Sequence, residues 1–338
     1  MRYSNRFFLY APFLILAVIA AVAGLRWWAS ARAFETMLER TNGHELAPGV
    51  TLHFAAKALG GFPFRVDAVL RDVALDSHCM GGTLAWHAER FAIHRLTYGR
   101  DQSIFEAAGA QSLTWIGPDG TQRRFTFTPG SLRASAIFSG GRLARFDLDV
   151  TAIGSREIAG DRVQIHLRQS PGPDAIDLAI SADAIRLAPD LQAGLGADLS
   201  HLAIAGRVLP AASLAPLLSG RERWCASLED WRRRRGTLDL DSIDVAWGRI
   251  GARGGGRLSL DDFHRPRGAL ELAVAGSPQS ATPGSEGAKL SQAGRAWGAP
   301  PAAGEALEIA VGDGAVVLRR NGARNGQPVG THFVDPIY

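Results

Sequence analysis

The chain has little lysine, although it is basic. Only Lys57 and Lys289 are lysines among its 37 basic residues, and the formal net charge is +4. The arginines alternate with Asp and Glu along most polar stretches, so the positive charge is dispersed. We therefore predict no nucleic-acid binding, because proteins that bind nucleic acid concentrate their cations on one surface. The preference for arginine, with abundant Ala and Gly, is typical of a GC-rich bacterial genome.

Catalytic and cofactor-binding motifs are also missing. The sequence contains no nucleophile elbow, HExxH motif, P-loop or dinucleotide-binding fingerprint. The nine histidines are scattered, and His87 and His94 point to opposite faces of a predicted strand because they are seven residues apart. We predict no catalytic residue, no cofactor and no metal site, so that the protein is not an enzyme. A hydrolase that uses unrecognised residues is the alternative.

Cysteine is scarce, since Cys79 and Cys225 are the two cysteines of the chain. Their spacing fits no zinc or redox motif. Outside the cytoplasm they can form a disulfide that ties the N-terminal part of the sheet to a helical segment. Two unpaired, buried cysteines are the alternative.

One hydrophobic run stands out, from Phe7 to Leu25, with no charged residue in 19 positions. About 20 apolar residues cross a bilayer core. Arg2 and Arg6 precede the run and a Trp27–Trp28 pair follows it, which favours a cytoplasmic N-terminus and an interfacial end. We predict a cytoplasmic tip and membrane anchor over 1–28, in the bacterial inner membrane, with the remaining chain periplasmic. The alternative is a signal peptide cleaved after Ala23.

Beyond the anchor, residues 29–45 read as a helical stalk, and residues 46–276 as a periplasmic β-rich domain. Apolar and polar residues alternate with period two in many short segments separated by Gly and Pro turns. This pattern predicts a mainly β fold with one curved, groove-like antiparallel sheet. Either a second sheet layer or lipid must cover its apolar face. The residues expected on that face include Phe64, Val66, Phe125, Phe127, Ile165 and Leu167.

Three segments interrupt the strand pattern. Residues 210–235 carry helix formers and predict a helical island. Its arginines and Trp224 and Trp231 form either a patch for anionic headgroups or a solvated helix face whose tryptophans fill the core. Gly251–Gly256 predicts a flexible loop. Residues 277–304 read as a linker rich in Ser, Pro, Gly and Ala, and residues 305–338 as a C-terminal hairpin.

The most distinctive stretch is Gly61-Phe62-Pro63-Phe64-Arg65. Following a single span and a short helix, it resembles the uncharacterised proteobacterial family known as domain of unknown function 2125. The similarity covers roughly residues 1–275, by pattern apart from this motif. That family is in turn similar to AsmA-like envelope proteins, which have one N-terminal span and a periplasmic β-groove. The C-terminal segment departs from this pattern.

The resemblance implies a non-enzymatic envelope protein that handles membrane lipid or supports membrane assembly, and it implies no catalytic residues. The alternative is a structural scaffold whose sheet is filled by its own side chains and whose surface binds other envelope proteins.

Overall fold

The computed structural model describes residues 6–79, 82–97, 101–117, 120–172, 174–192, 195–275, 305–312, 315–320 and 330–333. The predicted linker 277–304, Arg2 of the cytoplasmic tip and the final turn of the predicted C-terminal hairpin lie outside these residues. The described residues form three helices: α1 (Arg6–Thr41), α2 (Ala215–Leu218) and α3 (Trp224–Arg233). Two short 3-10 turns cover Pro189–Leu191 and Ala211–Leu214.

All described strands belong to one sheet. They are β1 (His44–Ala47), β2 (Val50–His53), β3 (Ala56–Gly60), β4 (Arg65–Cys79), β5 (Gly82–Leu96), β6 (Gln102–Ile116), β7 (Gln122–Ser139), β8 (Arg142–Ser155), β9 (Ile158–Gln169), β10 (Ile176–Leu187), β11 (Asp198–Leu209), β12 (Thr237–Trp247), β13 (Ile250–Leu260), β14 (Pro266–Ala275), β15 (Glu305–Gly312), β16 (Ala315–Arg320) and β17 (Gly330–Phe333).

The sheet is an antiparallel meander. Strand β1 pairs with β2, both β2 and β3 pair with the same side of β4, and every strand from β4 to β16 pairs with the next strand in the chain. Most of the described connections between successive strands are short turns, which favour this order, whereas the helical segment 210–236 connects β11 to β12. The predicted mainly β fold with a single open antiparallel sheet is therefore confirmed.

Helix α1 is continuous through the predicted anchor and the predicted stalk. From Leu9 to Thr41 it is long and apolar enough to cross a membrane, a property that signal sequences share. The last third of α1 packs against the sheet, because Ala31, Phe34 and Leu38 are buried in one cluster with residues of β2 and β4. These three positions lie on one helical face, three and four residues apart. The helix is thus both a candidate span and part of the core.

A row of irregular positions crosses the sheet from β4 to β11. At one point in each strand the regular pairing skips or shifts, or the backbone turns to positive φ: Asp72, Glu89, Gly109, Gly130, Ala152, Asp161, Ala184 and Ser200. In β4 the buried residues Val66, Ala68 and Leu70 are followed by Val73, so the alternation changes phase at Asp72. Bulges of this kind bend a strand and increase its twist. We call this row the crease.

Helix α3 shows that the sheet is strongly curved. At its start, Cys225 is joined to Cys79 at the end of β4 by a disulfide with a Cα–Cα distance of 6.1 Å. Near its end, Arg232 pairs with Asp262 in the β13–β14 turn at 2.7 Å. Strands β4 and β13 are nine positions apart, which is about 43 Å in a flat sheet, whereas ten helical residues span about 15 Å. Curvature must therefore bring the two strands together.

The glycine run Gly251–Gly256, predicted as a flexible loop, instead lies within β13. That prediction was wrong because the run pairs regularly with β14 and, apart from a bulge at Gly255, also pairs with β12. A Cβ at Gly254 or Gly256 would collide with the backbone of β14. Glycine is therefore needed here for the close approach of strands in the coiled part of the sheet.

Candidate functional site: the apolar face of the sheet

One face of the sheet is apolar across most of its width. Residues opposite each other in antiparallel strands lie on the same face. Following the pairing from Leu70 in β4 leads to Phe91 and Ala107, and from Leu148 in β8 to Ile165 and Ile180. The same face continues through Ile204 and Ile243. The sheet thus presents one nearly continuous apolar surface.

Five of the six residues predicted for the groove occupy this face. Val66, Ile165 and Leu167 lie on one side of the crease. Phe125 and Phe127 lie beyond it, paired with Leu113 and Gln111. The sixth residue, Phe64, is not in a strand: it lies in the turn before β4 and is 65% exposed.

The apolar face is only partly covered by other elements of the structure. Helix α1 covers it over β4, where Val66, Ala68, Leu70 and Val73 are buried. Helix α3 approaches from the same side, because Cys79 shares a face with Val73 in the register of β4. Between these two elements the side chains of β7–β10 are mostly half-buried. Since all described strands belong to one sheet, no second described sheet covers them.

Two features break the uniformity of the apolar face. Trp86 donates a hydrogen bond from Nε1 to Gln111 Oε1 at 3.1 Å, and the fully buried Gln111 amide nitrogen has no partner among the described residues. An open depression of about 600 Å³ follows the crease between β8 and β11, and its lining includes Ile153, Ile185 and Leu199 together with the charged Asp161, Arg186 and Asp198. Its volume is within the range of small-ligand pockets. Neither feature was predicted from the sequence, although Gln111 occupies a position of β6 that lies on the apolar face.

The opposite face carries ion pairs between neighbouring strands. Asp147 accepts hydrogen bonds from Arg145 and His166, both at 2.7 Å, and Asp149 accepts one from Arg162 at 2.7 Å. Burial would raise the pKa of Asp147, but these partners outweigh it and hold the pKa below its ordinary value. Each acid is matched by a nearby cation. This pattern is typical of a solvated face rather than of converging catalytic groups.

The described residues contain no group of three or more His, Cys, Asp or Glu side chains placed to hold a metal ion.

The arginines of the helical island are largely neutralised. Arg232 and Arg233 both bond Glu229 at 2.7 Å, and Arg234 bonds Asp230 at 2.7 Å. The hydrogen bond from Arg232 contributes most to holding the pKa of Glu229 far below its usual range. Trp231 is buried. This arrangement favours the reading of a helix face with its tryptophan in the core over that of a headgroup patch.

Comparison with known proteins identifies a family but no characterised relative. Residues 27–319 match the model of a family described as "Uncharacterized protein conserved in bacteria (DUF2125)". The matched segment begins at Trp27 and covers most of the described sheet. No curated protein and no solved structure matches the chain.

Proposed function

Because the chain belongs to the uncharacterised bacterial family DUF2125, whose description assigns no activity, we propose a function from its geometry. The protein is a non-enzymatic envelope protein that holds membrane lipid, through its acyl chains, on the apolar face of the sheet. The observation that carries this proposal is the continuous apolar face of β5–β12, which no second described sheet covers.

Hydrophobic burial explains why such a face needs a partner. Each Å² of apolar surface removed from water stabilises by about 25 cal/mol, so a face of this length that is only partly covered is unfavourable. Acyl chains need no directional bonds, and a long curved surface that offers few hydrogen-bonding groups suits them. The role is thus lipid handling or membrane assembly, of the kind implied by AsmA-like character. A scaffold that binds other envelope proteins is the alternative, with a protein surface as the cover.

The proposed location is the bacterial inner membrane, with the N-terminus cytoplasmic and the domain periplasmic. Helix α1 supports this location by its length and apolar composition. The disulfide between Cys79 and Cys225 fits an oxidising compartment. The arginines before the uncharged run favour the same orientation.

Topology can be measured with a phosphatase reporter that is active only where disulfides form. Fused to the C-terminus of the full-length chain it should be active, and fused to the N-terminus it should be inactive. Activity of the N-terminal fusion alone would contradict the orientation. The intact mass of the purified protein separates an anchor that retains Met1 from a chain cleaved after Ala23.

Lipid binding can be tested by substitutions on the two faces of one strand pair. Ile165 and Ile180 are opposite each other on the apolar face, and Gln164 and Ser181 are opposite each other on the polar face. We expect I165D/I180D to reduce the amount of lipid that co-purifies with the full-length chain by about tenfold or more. The reason is that burying a carboxylate against acyl chains is unfavourable. The matched control Q164D/S181D adds the same charge to the same strands and should retain its lipid. Mass spectrometry of extracted lipid gives the measurement.

A second pair probes the face beyond the crease. F125D/F127D should also lose lipid, with Thr126→Asp as the control on the opposite face. All variants should keep their strand signal in circular dichroism and their disulfide. If wild-type protein carries no lipid, or both apolar-face variants keep it, the lipid proposal fails and the scaffold alternative replaces it.

A further inference from the structure

The Gly61–Arg65 motif forms a tight turn whose first residue must be glycine. Gly61 has a φ of +90°, and a Cβ there would lie 2.7 Å from the Arg65 carbonyl oxygen and 2.9 Å from Asp67 Cγ. The Arg65 amide closes the turn by donating to the Gly61 carbonyl at 3.1 Å. Conformation and space both therefore require glycine at this position.

The turn is held from two sides. Trp27 of α1 donates from Nε1 to the Arg65 carbonyl at 2.8 Å. Thr97, just after β5, donates to the Phe64 carbonyl from its amide at 3.0 Å and from Oγ1 at 2.9 Å. These bonds use the backbone of the motif and fix the turn against the helix. The directions of its Cα–Cβ bonds are thereby fixed as well.

Those side chains include two exposed phenylalanines. Phe62 is 64% and Phe64 is 65% exposed. The Phe62 ring packs edge-on against Trp27 with centroids 5.4 Å apart, and it lies beside Gly24 of the same helix. The turn is well fixed, yet it keeps two large aromatic rings outside the core. Such an exposed apolar surface is unfavourable in contact with water.

The position of Phe62 along the length of α1 indicates what covers the exposed rings of Phe62 and Phe64. The uncharged run from Phe7 to Leu25 has 19 residues, or about 28 Å of helix, close to the roughly 30 Å of a bilayer core. Gly24 is the second-last residue of that run, so Phe62 lies level with the end of the hydrocarbon layer. Aromatic rings are favourable at this depth, as for Trp27 and Trp28 beside it.

We propose that the Gly61–Arg65 turn is a membrane foot that inserts Phe62 and Phe64 into the phospholipid leaflet at which the uncharged run ends. This inference rests on α1 being the proposed anchor, but not on lipid binding by the apolar face. The foot gives the domain a second attachment beside the helix. It also holds the start of β4, and with it one edge of the apolar face, at the bilayer surface.

Spin labels on introduced cysteines test the foot in the full-length chain, since Cys79 and Cys225 are bonded and do not react. The chain is reconstituted in vesicles of phosphatidylethanolamine and phosphatidylglycerol. Collision rates are measured with oxygen, which partitions into lipid, and with a water-soluble nickel chelate. Phe64→Cys reports the foot and Leu16→Cys the middle of the span. Leu46→Cys is the matched control, because Leu46 is 48% exposed and follows the far end of α1.

We expect the ratio of oxygen to nickel collisions at position 64 to exceed that at position 46 severalfold, with position 16 higher still. If position 64 matches position 46 while position 16 reports lipid, the foot is overturned and the anchor stands. If position 16 also reports water, the anchor and the foot both fail. Phe64 contributes only its backbone to the hydrogen bonds of the turn, so its substitution should leave the disulfide and the strand signal unchanged.

Discussion

Removing the disulfide between Cys79 and Cys225 should lower the free energy of unfolding by about 5 kcal/mol. The bond closes a loop of 146 residues, and the loss of loop-closure entropy from the unfolded chain gives this magnitude in the entropic model. The bond also ties α3 to β4 across the curved sheet, so its loss frees the start of α3. We expect C79S, C225S and the double variant to lose the same amount, because each change removes the same bond. Urea unfolding followed by circular dichroism gives the free energies.

A reductant supplies the matched control. Reduced wild-type protein should unfold at the same denaturant concentration as the C79S/C225S variant, and the variant should not respond to reductant. Equal midpoints for oxidised wild type and the double variant would show that the bond contributes no stability. Cooperative unfolding must be checked first, since a chain with a long, exposed apolar helix can depart from two-state behaviour.

The side of the sheet on which a residue lies could largely be predicted from the sequence. Period-two alternation assigned Val66, Phe125, Phe127, Ile165 and Leu167 to one face, and the register places them there. Alternation is local, because neighbouring Cβ atoms point to opposite sides of any strand. The same reasoning explains why the open antiparallel architecture could be predicted.

The crease could not be predicted in this way. In β4 the phase changes at Asp72, which has a φ of +50°. The sequence signal was the adjacent polar pair Arg71–Asp72 between two apolar sets, and strict alternation passed over it. Whether one such irregularity lines up with those of its neighbours depends on the register of eight strands, which no single segment encodes.

Phe64 shows that period-two alternation can fail next to a turn. Its spacing from Val66 fits the apolar face, yet the turn closed by Gly61 ends before β4 begins and leaves Phe64 exposed. Gly61 comes close to Arg65 and Asp67 only in the folded turn. The periodicity of the sequence therefore does not show how tight the turn is. Trp27 bonds the same turn, which links the motif to helix α1 rather than to the apolar face of the sheet.

The docking of α1 onto the sheet leads to the second large effect. Leu38 is 1% exposed and packs in the cluster that contains Leu52, Leu70 and Val73. Leu38→Ala should lower the free energy of unfolding by about 3 kcal/mol, within the 2–5 kcal/mol typical of buried leucine truncations, because it removes apolar contacts and leaves a cavity. Met37, the preceding residue, is 39% exposed, and Met37→Ala should change stability by less than about 0.5 kcal/mol.

Chemical unfolding of both variants in the same detergent distinguishes a docked helix from a free stalk. A free stalk predicts equal, small effects at positions 37 and 38, whereas docking predicts a large effect at Leu38 alone. The comparison holds whether or not the chain is cleaved after Ala23, because residues 24–41 remain in both forms. The buried face of α1 that stabilises the domain also holds the helix against β4, so Leu38→Ala should loosen this attachment as well.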